Sequence, residues 1–150
     1  MKPEETIDFH LRNTWLKMAK YYNLAAQPHD GTLTSGFILL NIDVKNGTPS
    51  TQLGPKMGLE GTSLVRPLKT LEEKGLIYRK KDKEDKRVVK IFLTPSGLKK
   101  REISKETVLN INNEIVNQIG ASKFKMVLEE LRKIASTVEK IHQNYGQKKH

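Results

Sequence analysis

Apolar positions along the chain fall into blocks of different period. Over residues 5–26, Ile7, Leu11, Trp15, Met18, Tyr22 and Ala25 recur every three or four positions, with Lys17 and Lys20 between them. That spacing predicts an amphipathic helix. The stretch from Gln27 to Gly31 contains Pro28 and Gly31 and breaks it. A second helix is predicted over about residues 34–44, with Thr34 as N-cap, Phe37 through Leu40 and Ile42 as core, and Lys45-Asn46-Gly47 as the stop. It has no clean polar stripe, so it is expected to be largely buried.

Residues 48–75 read as a short helix over about 50–57, a turn at Gly58, and a longer helix from near Thr62 to Gly75. Leu64, Leu68 and Leu71 lie on one face of the longer helix, and Lys74 with Gly75 suits its C-terminus. The period then changes to two. Val89, Ile91 and Leu93 alternate with Val88, Lys90 and Phe92, and the charged hexapeptide Asp82 to Arg87 separates this run from the one ending at Lys81. Two strands with a polar loop make a hairpin. Pro95 suits the first turn of a helix. Helices are predicted over about 96–118 and 122–143, with Gly120 between them. Phe124, Val127, Leu128, Leu131, Ile134, Val138, Ile141 and Tyr145 form a stripe near heptad spacing in the second, the pattern of a core or a dimer seam. The tail from Gly146 to His150 is expected to fray.

These elements predict a mainly α fold with a small β-hairpin wing. Short helix, turn, longer helix and hairpin in that order make a winged helix-turn-helix. Its second helix is of a size that a B-DNA major groove admits.

Charge supports that direction. The 150 residues carry a formal net charge of +10, which points to a polyanionic partner, nucleic acid or an anionic membrane. From Arg66 to Arg101 there are thirteen basic residues and five acidic ones, so about a quarter of the chain holds most of the surplus. A solvated surface without a partner would spread its charge. No run approaches the roughly 18 apolar residues of a membrane helix, and the N-terminus lacks an apolar signal core, so a soluble cytoplasmic protein with no membrane partner is expected. Absence of cysteine excludes disulfides and thiolate zinc sites. His10, His29, His142 and His150 are not at metal-ligand spacing, and there is no GxSxG, phosphate loop or HExxH; no metal, cofactor or catalysis is expected. Hydrophobic residues make up 36% and aromatics 6%, a thin core that pairing with a second copy would complete.

Residues 59–97 resemble the MarR family of bacterial regulators. The resemblance is carried by Thr62 and Ser63, then Arg66, the Leu71 to Ile77 close, the wing tip from Asp82 to Arg87, and the step from Leu93 to Gly97. It is strongest over residues 50–100 and extends to the whole chain through the order of helices. It implies a homodimer whose N- and C-terminal helices, residues 1–30 and 96–146, interlock, with residues 31–95 as the DNA-binding domain and 147–150 as a tail. Two recognition helices would then enter successive major grooves on a near-palindrome, with half-sites on the order of 34 Å apart. The resemblance also implies that Arg87 enters the minor groove and that Asp85 holds it.

The DNA-contact candidates are Thr62, Ser63, Arg66, Lys69 and Thr70 on the longer helix and Arg79, Lys81, Asp85, Lys86 and Arg87 on the wing. Hydroxyls meet bases or phosphates, and an arginine grips guanine through two hydrogen bonds. Thr62 is also a candidate helix cap. His10, Trp15 and Tyr22 are candidates to line a site for a small aromatic ligand, since relatives bind such ligands between their lobes; plain core or surface roles are the alternative. Pro55 and Pro67 depart from the family pattern. An interior proline costs about 3 kcal/mol unless a bend absorbs it, so a kink or irregular turn is expected at each. Two functional readings follow. One is a dimeric, ligand-released repressor on double-stranded DNA; the other is an adaptor whose winged helix holds a protein partner.

Overall fold

The computed structural model describes residues 1–147. The chain divides into two compact units, the first Met1–Val108 and the second from Leu109 onward. In the first unit, a 3-10 turn over Pro3–Glu5 leads into α1 (Ile7–Ala26), whose N-cap Thr6 accepts a hydrogen bond from the Phe9 amide. A 3-10 turn at Gln27–His29 ends α1, and Asp30 turns the chain at φ 53°. Helix α2 spans Leu33–Asn41. Its cap is Thr32 rather than Thr34. The Thr32 hydroxyl accepts from the Ser35 amide at 3.1 Å, and the Ser35 hydroxyl accepts from the Thr32 amide at 2.8 Å. This reciprocal box fixes the start of the helix two residues earlier than the apolar pattern alone indicates.

The chain continues through β1 (Thr48–Pro49), α3 (Ser50–Met57), a 3-10 turn over Gly61–Leu64, α4 (Val65–Glu73), β2 (Ile77–Lys81), β3 (Val89–Leu93) and α5 (Pro95–Ile119). Ile38, Leu39 and Ile42 meet Leu53, Leu64, Leu68, Leu71, Ile77 and Ile91 in one core, each 5% exposed or less. The three leucines expected on one face of the longer helix are all in it. Strand β1 is a correction to the two-stranded hairpin. It pairs with β3, giving an antiparallel sheet of order β1-β3-β2. Thr48 is fully buried there, and its hydroxyl accepts from the Asp43 amide at 2.9 Å, tying the exit of α2 to the sheet.

The two prolines are accommodated differently. Pro67 is the third residue of α4, within its first turn, where an amide has no intrahelical acceptor to lose. The irregularity lies just ahead of it, as the 3-10 turn Gly61–Leu64. Pro55 is inside α3, which closes two residues later at Met57.

In the second unit, Gly120 at φ 85° separates the end of α5 from α6 (Ala121–Gln147). The α6 stripe is open: Val127, Leu128, Leu131, Val138, Ile141 and Tyr145 are exposed, and Phe124 and Ile134 half-buried. Of the tail expected to fray, Gly146 and Gln147 are in α6, and residues 148–150 lie outside the described residues. No helix among the described residues is long and apolar enough to cross a membrane.

Candidate nucleic-acid interface

Helix α3 stops because Gly58 takes the left-handed conformation, φ 65° and ψ 30°. The Leu59 amide then donates to the Gly54 carbonyl at 2.9 Å and the Gly58 amide to the Pro55 carbonyl at 3.2 Å. A Cβ on Gly54 would stand 2.8 Å from the Leu59 oxygen, so the chain folds back tightly over the end of the helix. It then enters α4 through the 3-10 turn. Leu64, Leu68 and Leu71 bury one face of this segment and leave Thr62, Ser63, Arg66, Lys69 and Thr70 exposed. At the far end the Leu76 amide donates to the Leu71 carbonyl and the Gly75 amide to the Glu72 carbonyl, a closed left-handed cap.

Thr62 caps no helix: Leu64 stands at the N-cap of α4 and Glu60 at that of the 3-10 turn, neither with a side-chain bond. Thr70 donates its hydroxyl proton to the Arg66 carbonyl at 3.1 Å. Lys69 lies 3.9 Å from Glu73, with both side chains mostly exposed.

The wing loop is organised by two aspartates. Asp82 Oδ2 accepts the amides of Glu84 and Asp85 at 3.1 Å each, and its Oδ1 lies 2.8 Å from Lys90 Nζ. The Lys90 ammonium and these amides hold the Asp82 carboxyl down from its ordinary 3.8 to about 2. Asp85 grips Arg87 through both oxygens: Arg87 Nε donates to Oδ1 and Nη2 to Oδ2, each at 3.0 Å. The pair lowers the Asp85 pKa and raises that of Arg87, yet the Arg87 side chain stays 90% exposed at the loop tip. Lys81 and Lys86 are exposed beside it. Arg79 is placed differently, its Nε donating to Glu72 Oε2 of α4 at 2.9 Å.

Asp82 and Lys90 were not among the candidates. The available signal was an aspartate two and three residues ahead of the amides that a turn must satisfy. The shift has a testable sign. A carboxyl depressed in the folded state stabilises the wing above its ordinary pKa and loses that contribution as pH falls through its folded value. Protection of the Glu84 and Asp85 amides, relative to their unstructured exchange rates at each pH, is therefore expected to fall between about pH 4 and pH 2, ahead of the core. Uniform protection down to global unfolding would show that Asp82 does not hold the loop.

A cavity of about 300 Å³ opens in the first unit beside α4. Its walls are Tyr22 and Ala25 of α1, residues from Thr32 to Leu40, the start of α5 from Lys100 to Val108, and Arg66, Pro67, Thr70 and Lys74. Lys74 Nζ donates to Asp30 Oδ2 at 2.8 Å and to its carbonyl at 3.0 Å, which lowers the Asp30 pKa. Of the three ligand candidates only Tyr22 lines the cavity. Burial and then Tyr21 raise its phenol pKa. Trp15 packs edge-on against Phe37, and His10 Nε2 lies 2.8 Å from the Glu4 carbonyl; neither lines the cavity. No group of three or more potential metal ligands occurs among the described residues.

A tightly turned helix pair with an exposed polar face, followed by a hairpin carrying an outward arginine, defines a winged helix-turn-helix protein. The MarR family model matches residues 32–89. The transcriptional regulator SarZ of Staphylococcus haemolyticus is 30% identical over 115 residues, covering 77% of this chain and 76% of SarZ. The fold matches MepR of S. aureus in its DNA complex at TM-score 0.80 and 24% identity, over 88% of this chain and 98% of MepR. It matches CouR from Rhodococcus jostii RHA1, bound to p-coumaroyl-CoA, at TM-score 0.80 and 24% identity, over 90% and 95% of the respective chains. This chain belongs to the MarR family, a family of transcriptional regulators and not of enzymes.

Proposed function

We propose that the protein is a sequence-specific repressor that binds a near-palindromic duplex operator as a homodimer and is released by a small ligand. The exposed, doubly held Arg87 at the wing tip carries the reading. A guanidinium oriented by Asp85 and left free on its outer side is ready to enter a groove with little loss of side-chain freedom on binding. Thr62, Ser63, Arg66, Lys69 and Thr70 supply the major-groove contacts, and Lys81 and Lys86 meet phosphates.

Dimerisation uses residues 1–30 and 96–146. Apolar side chains on α1, among them Ile7, Leu11, Trp15, Leu16 and Leu24, are 42–65% exposed, and those of the α6 stripe reach 71% at Tyr145. Open apolar surface on this scale is what a second copy covers. The ligand is a small aromatic compound held in the cavity beside Tyr22. Because α4 forms one wall, an occupant that favours one placement of α4 shifts the population of DNA-competent dimers.

The test is binding of the purified protein to fragments of its source genome. Selective retention of a few fragments that share a near-palindrome, with two protomers per site, is the expected result. Weak binding that is equal on all fragments would instead favour the adaptor reading.

A further inference from the structure

Of the five acids between Arg66 and Arg101, four hold a cation of the same segment: Glu73 with Lys69, Glu72 with Arg79, Asp82 with Lys90 and Asp85 with Arg87. The pairs are not equivalent. Glu73 and Lys69 are one helical turn apart, loose and mostly exposed. Asp82–Lys90 and Asp85–Arg87 lie within the wing. Glu72–Arg79 joins two different elements, the recognition helix and the first wing strand, at 2.9 Å, and its side chains, 43% and 38% exposed, are better covered than those of Glu73 and Lys69.

Strand alternation explains this geometry. Arg79 pairs with Ile91 across the sheet, and both lie on the face of Ile77, the face packed on the core. Tyr78 and Lys80 lie on the opposite face, where Tyr78 stacks on Phe92 with ring centroids 5.4 Å apart. The guanidinium of Arg79 is thus directed at α4 and met by a carboxylate there. A half-exposed pair of this kind adds little stability. Its larger effect is on the count of free cations. Each cation that neutralises a phosphate releases counterions and steepens the salt dependence of binding, whatever the sequence.

We propose that Glu72 withholds Arg79 from DNA. The pair ties β2 to the recognition helix and removes one cation per protomer from sequence-blind phosphate attraction. Glu72 is then a specificity-determining residue that lowers non-specific affinity, and Arg79, one of the candidate DNA contacts, is a positioning residue that touches no phosphate. This rests on the DNA-binding reading above.

The experiment is a salt series of fluorescence anisotropy with the full-length protein and a labelled mixed-sequence duplex. The proteins are the wild type, Glu72→Gln, Arg79→Gln and the double variant, each checked for folding by circular dichroism. Glu72→Gln is expected to bind tighter, with a log–log salt slope steeper by about 0.9 per protomer. Arg79→Gln and the double variant are expected to keep the wild-type slope. Flattening of the slope by about 0.9 per protomer in Arg79→Gln would make Arg79 a phosphate contact and overturn the proposal. An unchanged slope in a folded Glu72→Gln would do the same. A wild type with no salt-dependent binding to any duplex would remove the DNA reading and this proposal together.

Discussion

Arg87→Ala is expected to lower affinity for the operator roughly ten- to a hundredfold at constant salt. Three hydrogen bonds from Arg87 to Asp85, two from the guanidinium and one from the backbone amide, orient the side chain while leaving it 90% exposed, so the rest of its surface is open to a partner. An inserted arginine reads the narrow, strongly negative minor groove of A·T-rich steps. The loss should therefore fall on operators with such steps under the wing and be smaller on G·C-rich substitutes. Lys86→Ala is the control. It is exposed, with no carboxylate partner among the described residues, and its removal should weaken binding to all sequences alike and reduce the salt slope by about 1 per protomer. Equal, twofold losses for the two variants would make Arg87 one more phosphate contact.

Gly97→Ala is expected to destabilise the protein by about 3 kcal/mol or more, among the largest effects of a single methyl group. A Cβ at Gly97 would stand 1.9 Å from the Leu76 carbonyl oxygen and 2.9 Å from its carbon. Neither side can yield. The Leu76 oxygen accepts the Thr94 amide at 3.1 Å, the Thr94 hydroxyl donates to the Gly75 carbonyl at 2.6 Å, and the Gly97 amide donates back to that hydroxyl at 3.0 Å. This knot joins the end of the recognition helix, the last wing strand and the first turn of α5. Thermal unfolding followed by circular dichroism should show a midpoint lower by about 6–12 °C. Gly58→Ala offers a contrast. Among the described residues, no heavy atom beyond its own stretch of chain lies within 4 Å of its added Cβ, so only the left-handed backbone is strained and the cost is about 1 kcal/mol. A Gly97→Ala protein as stable as Gly58→Ala would show that α5 shifts away without penalty.

What could be read in advance follows from the range of each interaction. Leu64, Leu68 and Leu71, the stop at Gly75 and the alternation of Val89, Ile91 and Leu93 are local patterns, and all stand where the periodicity puts them. Strand β1 has only two residues, one of them a proline, too short to show a period; long-range pairing with Ile91 and Lys90 creates it. The start of α4 was displaced because Thr62 and Ser63 look like a helix opening but sit in a 3-10 turn set by the fold-back over Gly54. The candidate site divides along the same line. Asp85 and Arg87 are two residues apart, and their pairing followed from the resemblance. The partners of Arg79 and Lys74 come from other elements, Glu72 and Asp30, and no spacing announces them. Tyr22 meets the cavity while Trp15 and His10 do not: Trp15 shares the stripe of Tyr22 but lies two turns away along α1, and His10, twelve residues away, is about a third of a turn off that face.

The 3-10 turn at Gly61–Leu64 bears on how the specificity of this protein can be rewritten. Its two outward hydroxyls, Thr62 and Ser63, advance at three residues per turn, whereas Arg66, Lys69 and Thr70 advance at the α-helical 3.6. The outward-facing surface is thus a composite of two screws whose junction is set by Gly54, Gly58 and Pro67. Exchanging Val65–Glu73 alone for a relative's helix would leave that junction in place and offset the new side chains against the old. On the DNA contacts proposed above, a transplant of operator preference carries residues 54–73 as one cassette.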